Sequence, residues 1–63
     1  MMLRLMHAQL KTYCYINADD IVALVPEKEG TNILLRNGVP VPVIEKMGEI
    51  VTMMEKTESG KKE

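Results

Sequence analysis

The groups whose chemistry would matter in an enzyme are few: one histidine, one cysteine and an adjacent pair of aspartates. His7 could serve as a base or a metal ligand, but catalysis needs a matched acid or nucleophile and coordination needs further ligands. The sequence places neither beside it, so it reads as a strand histidine, exposed or satisfied locally. Cys14 lies between Tyr13 and Tyr15 in a run of β-formers. With no neighbour to lower its pKa, it reads as a buried small apolar residue rather than a nucleophile. Asp19-Asp20 could be half of a calcium site, yet the other oxygens and the glycine of such a loop are missing, so a capped turn is expected. Asn37-Gly38 does not open a helix and is no phosphate loop. One cysteine and one histidine are too few for a structural zinc site, and a lone cysteine forms no internal disulfide. No catalytic residue, metal or cofactor is therefore expected. The open alternative is a composite site in which His7, Asp19 or Asp20 meets a symmetry mate.

Length and composition say what such a chain must do to stay folded. At 63 residues it is a single domain, and a domain of this size buries only about 60% of its unfolded surface. Hydrophobic residues make up 46% of it, with no Phe or Trp, two Tyr and six Met. Small domains compensate with disulfides, metals or partners. The first two are absent here, so a homo-oligomer, dimer or higher, is expected. The formal net charge is −1, from eight basic and nine acidic residues. No stripe of Lys and Arg marks a phosphate-binding face, which makes nucleic acid an unlikely partner. No apolar run approaches the roughly 20 residues of a membrane span, and no signal peptide is evident. With a free thiol, this reads as cytoplasmic.

The chain predicts an α+β fold: a small antiparallel sheet of four to five short strands in β-hairpins, followed by one C-terminal amphipathic helix. Met2 to Leu10 reads as a strand with Leu3 and Leu5 on one face and Arg4 on the other, and Gln9-Leu10-Lys11 as a turn lacking Gly, Pro or Asn. Thr12 to Ile16 is the second strand. Asn17 then caps a helical turn through Asp20, and Ile21 to Val25 resumes extended structure. Pro26 to Gly30 is expected to be a hairpin loop of about five residues. From Glu45 to Lys56, Met47, Ile50, Val51 and Met54 fall at helical spacing. Gly48 costs that helix roughly 1 kcal/mol unless it permits a close backbone approach. Domain 1–56 is thus followed by a polar tail, 57–63, expected to be disordered.

The hairpin Thr31 to Val43 carries the most detailed expectation. Asn-Gly between apolar runs predicts a two-residue type I′ turn, with both residues at positive φ. Arg36 would then face Val39, Leu34 face Val41, and Asn32 face Val43. Proline at 40 and 42 has no N–H to offer on the side away from the preceding strand, so that flank should be closed to pairing. Leu34, Val39, Val41 and Val43 would share one face, and Ile33, Leu35, Pro40 and Pro42 the other. The helix covers one face. A second copy or a protein partner would cover Ile33, Leu35, Pro40 and Pro42, so that Leu35→Asp should dissociate the oligomer.

From Tyr15 to Met54 the order of features resembles the small flagellar proteins of the FlbD type, also called swarming motility proteins. The corresponding pieces are Met2-Leu3-Arg4-Leu5, Tyr15-Ile16-Asn17, Asp20-Ile21-Val22, Thr31 to Gly38, Val41-Pro42-Val43 and Glu49-Ile50-Val51. The resemblance implies a bacterial or phage-encoded, non-enzymatic interaction module connected with motility, and supplies no catalytic residues. The first hairpin departs from the family in lacking a glycine turn, as does the Pro40/Pro42 pair. The run Asn17 to Met54 is also similar to the centre of LytTR DNA-binding domains, which implies the alternative of a transcriptional regulator. For that role Lys11, Lys28 and Arg36 are the basic residues on or near turns.

Overall fold

The computed structural model describes the backbone of residues 1–62 and the side chains of residues 1–56. The expected tail, 57–63, lies outside the described side chains. Five strands and one helix follow in order: β1 (Met2–Met6), β2 (Tyr13–Asn17), a 3-10 turn (Ala18–Asp20), β3 (Ile21–Glu27), β4 (Gly30–Leu35), β5 (Pro40–Val43) and α1 (Met47–Lys62). This is the small α+β architecture that the patterning predicts, divided into two antiparallel sheets, β1–β2 and β3–β4–β5.

In the first sheet Leu3 pairs with Ile16 and Leu5 with Cys14. Alternation along a strand sends these four inward, and Leu3, Leu5 and Ile16 are buried. Met2, Arg4, Tyr13 and Tyr15 lie on the exposed side. The pairs His7/Thr12 (N–H to O, 2.9 Å) and Ala18/Met1 (2.8 Å) mark which residues exchange backbone hydrogen bonds. Antiparallel ladders alternate, so in β2 it is Cys14 and Ile16 that bond to β1. The backbone groups of Tyr13, Tyr15 and Asn17 point away from it.

The β1–β2 connection solves a problem the sequence left open, a turn without glycine. Lys11 adopts φ +58 and takes the left-handed position itself. The His7 carbonyl accepts from the Lys11 N–H at 3.0 Å. His7 Nδ1 accepts from the N–H of Gln9 (3.2 Å) and of Leu10 (3.1 Å).

The Thr31–Val43 hairpin differs from the expected register by one residue. Thr31 faces Val43, Ile33 faces Val41 and Leu34 faces Pro40. The loop has three residues rather than two. Gly38 N–H closes a turn onto the Leu35 carbonyl (2.8 Å), and Leu35 N–H donates to the Val39 carbonyl (3.1 Å). Gly38 alone takes a positive φ, +89, whereas Asn37 does not. Its side-chain oxygen accepts from the Val39 N–H instead (2.9 Å). This is the three-residue alternative for an Asn-Gly hairpin. It wins because register follows the core: it turns Thr31 and Ile33 inward, at 1% and 0% exposure, and leaves Leu34 outside. The β3–β4 turn is tighter than expected, since Glu27 pairs with Gly30 and only Lys28 and Glu29 connect them.

The flank of β5 away from β4 is not closed. Pro42 faces away from β4 as expected and has no N–H to give, but its carbonyl accepts from the Ala8 N–H at 2.9 Å. The Ile44 N–H donates to the Met6 carbonyl at 3.0 Å, around an antiparallel bridge between His7 and Val43. Both Glu45 carboxylate oxygens accept from the Met6 N–H at 3.1 Å. The Thr31 hydroxyl donates to the Glu45 carbonyl (2.8 Å). A proline removes a donor and leaves an acceptor, and this seam uses the acceptor to join the two sheets.

The core is Leu3, Leu5, Ile16, Ala18, Ile33, Val43 and Ile50. The last of these comes from α1, which also packs Met53 and Met54 against the cluster. Met47 and Val51 remain 38% and 36% exposed, so the buried stripe is narrower than predicted. Glu49 accepts from the Lys46 N–H (3.1 Å) and caps the helix start, half of a capping box. A Cβ on Gly48 would meet nothing within 4 Å, so this glycine serves no close approach.

Candidate functional site

None of the residues singled out for chemistry lies in a catalytic arrangement. His7 is the acceptor of its own turn. Cys14 is half-buried, and burial first, then the Glu45 carboxylate, push its thiol pKa up; it is held protonated, the opposite of an activated nucleophile. Asn17 caps as expected, its Oδ1 accepting from the Asp19 N–H at 3.0 Å. Asp20 faces Arg36, Nε to Oδ1 3.8 Å, at the exposed surface. Arg36 also donates to the Asp19 carbonyl from its guanidinium and to the Asp20 carbonyl from its backbone (2.7 Å). Among the described residues no group of three or more His, Cys, Asp or Glu could hold a metal, and no helix is long and apolar enough to cross a membrane.

A hollow of about 370 Å³ sits beside this clasp, lined by Asp20, Leu35, Arg36 and Asn37. Another, of about 350 Å³, lies between the β1–β2 and β3–β4 turns, with Lys11, Glu27, Lys28 and Glu29 on its wall. Neither gathers an acid, a base and a nucleophile.

The four residues expected to form one contact surface do not share a face. Ile33 is fully buried and Leu35 half-buried on the core side, paired with Leu24 and Ile21. Pro40 is exposed and Pro42 half-buried on the other side. The cause is the one-residue register difference, which exchanges the two faces of β4 against β5. Leu35→Asp would consequently strike the fold rather than a contact.

The outer face that results is built from Ala23 and Val25 of β3, Asn32 and Leu34 of β4, and Pro40 and Pro42 of β5, through the pairs Ala23–Leu34–Pro40 and Val25–Asn32–Pro42. Val25 is 49% exposed and Leu34 37%. The Asn32 Oδ1 lies beneath this face, covered by the chain's own atoms, and has no hydrogen-bond partner among the described residues; a buried carbonyl oxygen without a donor costs about 1–3 kcal/mol.

The β1–β2 sheet carries a second exposed group that the sequence reading passed over. Tyr13 and Tyr15 are 53% and 64% exposed, and the Arg4 guanidinium stands 4.5 Å over the Tyr13 ring. The signal was the alternation Tyr-Cys-Tyr, which sends both rings to one side.

No protein-family model, no curated protein and no solved structure matches this chain.

Proposed function

We propose that the chain is a small, non-enzymatic, self-associating protein-interaction module whose working surface is the outer face of β3–β4–β5. The observation that carries the reading is the run of exposed apolar residues across that face, Val25 at 49% and Leu34 at 37% beside the exposed Pro40. Ala23 and Pro42 complete it, and a second copy placed across a two-fold axis lets these residues cover one another. The resemblance to FlbD-type proteins supports a motility-related setting for such a module. Arg36, one of the basic residues that a DNA-binding reading would use, is committed to Asp19 and Asp20, which favours protein contacts over a duplex.

The test is the mass in solution, by light scattering over a dilution series. The wild type should exceed the 7.1 kDa of one chain. Leu34→Asp places a carboxylate in the face and should reduce the mass, since a charge cannot be desolvated there unpaired. An unchanged mass in that variant would remove the face from the assembly.

A further inference from the structure

We propose that a second contact between copies forms along the free edge of β2, as an antiparallel β2–β2 ladder centred on Tyr15. This deepens the reading of the chain as self-associating and uses a different part of it. Of the four border strands, β1 and β5 meet at the His7–Val43 bridge, which leaves the edges of β2 and β3 without any partner strand among the described residues. They are not equivalent. In β4 the odd residues bond to β5, as the Leu35–Val39 hydrogen bond shows. The even ones therefore bond to β3, where Ala23, Val25 and Glu27 face them. That leaves Leu24 and Pro26 on the outer edge of β3, and Pro26 has no N–H to offer. The register also breaks between Ile21 and Ala23 on the same strand. Proline and bulges are the devices that protect an edge from pairing.

The edge of β2 has neither. Tyr13, Tyr15 and Asn17 turn their backbone groups outward, and no proline, charge or bulge interrupts Tyr13–Asn17. An unguarded edge is a template for another strand, and this one is complementary to itself. With a two-fold axis through Tyr15, each Tyr15 exchanges N–H and C=O with the partner subunit's Tyr15. The Tyr13 carbonyl receives the N–H of the partner subunit's Asn17, in the alternation an antiparallel ladder requires. Side chains fit the same axis. Arg4 already lies over Tyr13, whereas the more exposed Tyr15 ring has no such companion among the described residues and meets its own copy across the strands, a favourable cross-strand pair. On the inner side Cys14 comes opposite the partner subunit's Ile16, so the cores of two β1–β2 sheets become continuous. A strand edge of this length is a small interface, and the association should depend on concentration.

The experiment uses the full chain in four forms, with light scattering for mass and circular dichroism for fold. Tyr15→Pro removes the outward N–H and leaves the inward donors of Cys14 and Ile16, so the β1–β2 ladder is untouched. Leu34→Asp should leave a dimer held by β2, and adding Tyr15→Pro to it should give a monomer. A Leu34→Asp protein that is already monomeric, or a double variant that is still dimeric, overturns the edge contact. The outer-face reading fails separately, if Leu34→Asp keeps the wild-type mass. If Tyr15→Pro does not fold, alkylation of Cys14 by iodoacetamide decides. In the Leu34→Asp background its rate should drop several-fold from dilute to concentrated protein, and a rate independent of concentration overturns the proposal.

Discussion

The two sheets of this molecule are built from similar short strands, yet they control pairing by different means. The three-stranded sheet carries proline at both borders, Pro26 on β3 and Pro40 and Pro42 on β5. It places glycine where the backbone needs a positive φ, at Gly30 and Gly38. The two-stranded sheet has no proline and no glycine between Met2 and Asn17. Its turn is held by a histidine side chain and a lysine in the left-handed region. The difference teaches where each sheet can be approached. Proline removes the donor from the β3 edge and the seam with β1 occupies the β5 edge, so the larger sheet is left with its outer face. The smaller one keeps a regular strand edge open, and half of its connection depends on side-chain rather than backbone chemistry.

The largest expected effect sharpens the comparison within the three-stranded sheet. Gly30 sits at φ +149, and a Cβ there would run into the Val43 carbonyl oxygen and lie 3.1 Å from Ile44 Cα. Backbone cannot swing aside as a side chain can. Gly30→Ala should therefore cost about 3 kcal/mol or more, at the upper end of single substitutions. Gly38 has the same kind of φ, +89, but open space around it, so Gly38→Ala should cost only about 1 kcal/mol, the price of a left-handed backbone alone. Urea unfolding midpoints with unchanged slopes would measure both. Equal losses would mean that conformation, and not the approach of β5, fixes glycine at position 30.

The second effect breaks into the two-stranded sheet. His7→Ala deletes the acceptor of the Gln9 and Leu10 N–H groups, and His7→Asn restores a short side-chain acceptor of the kind that normally serves such turns. The first should lose about 1 kcal/mol, the size of a lost cap, and the second should recover most of it. Should both variants match the wild type in a thermal melt, the imidazole would not be holding the turn.

How much of this was legible in the sequence depends on which interactions are local. The alternation of Leu3 and Leu5, the Asn17 cap, the Asn-Gly turn and the helical spacing after Glu45 all act over a few residues, and the elements they predict are present. Register is not local. Ile33 rather than Leu34 enters the core because Leu3, Leu5 and Ile50 wait there, and all three lie far from it along the chain. A two-residue and a three-residue Asn-Gly loop differ little in themselves, so the distant cluster decides between them, and the expected contact surface came apart with that decision. The seam between Pro42, Ala8, Met6 and Glu45 was hidden for a similar reason. Proline was read by the donor it lacks, whereas the fold uses the acceptor it keeps.

A smaller effect exchanges the solutions of the two sheets. Lys11 pays for φ +58 with steric strain against its Cβ, and a glycine there would carry none, as the turn chemistry of the other hairpin shows. Glycine also gives the unfolded chain more freedom, which offsets part of the gain. Lys11→Gly should thus stabilise the protein by roughly 0.5 kcal/mol, within the range of such backbone effects. A loss of stability would show that the lysine side chain, and not its backbone, matters at this turn.

The smallest expected effect lies where the sheets meet. Burial is the first cause that raises the Cys14 pKa, and the Glu45 carboxylate is the second. The fold thus favours the neutral thiol. Stability from this source is present in full below the ordinary thiol pKa and is lost as pH rises through the raised value of the folded protein. Glu45→Gln keeps a side-chain oxygen for the Met6 N–H and removes the negative charge. It should leave the part of the shift caused by burial and relax the part caused by charge. The pH profile of Cys14 alkylation, taken in dilute protein, should then move to lower pH without reaching that of an unfolded thiol, and the rate at a fixed alkaline pH should rise a few-fold. Were the two profiles to coincide, the Glu45 charge would make no difference at the sulfur, and burial alone would be what raises the Cys14 pKa.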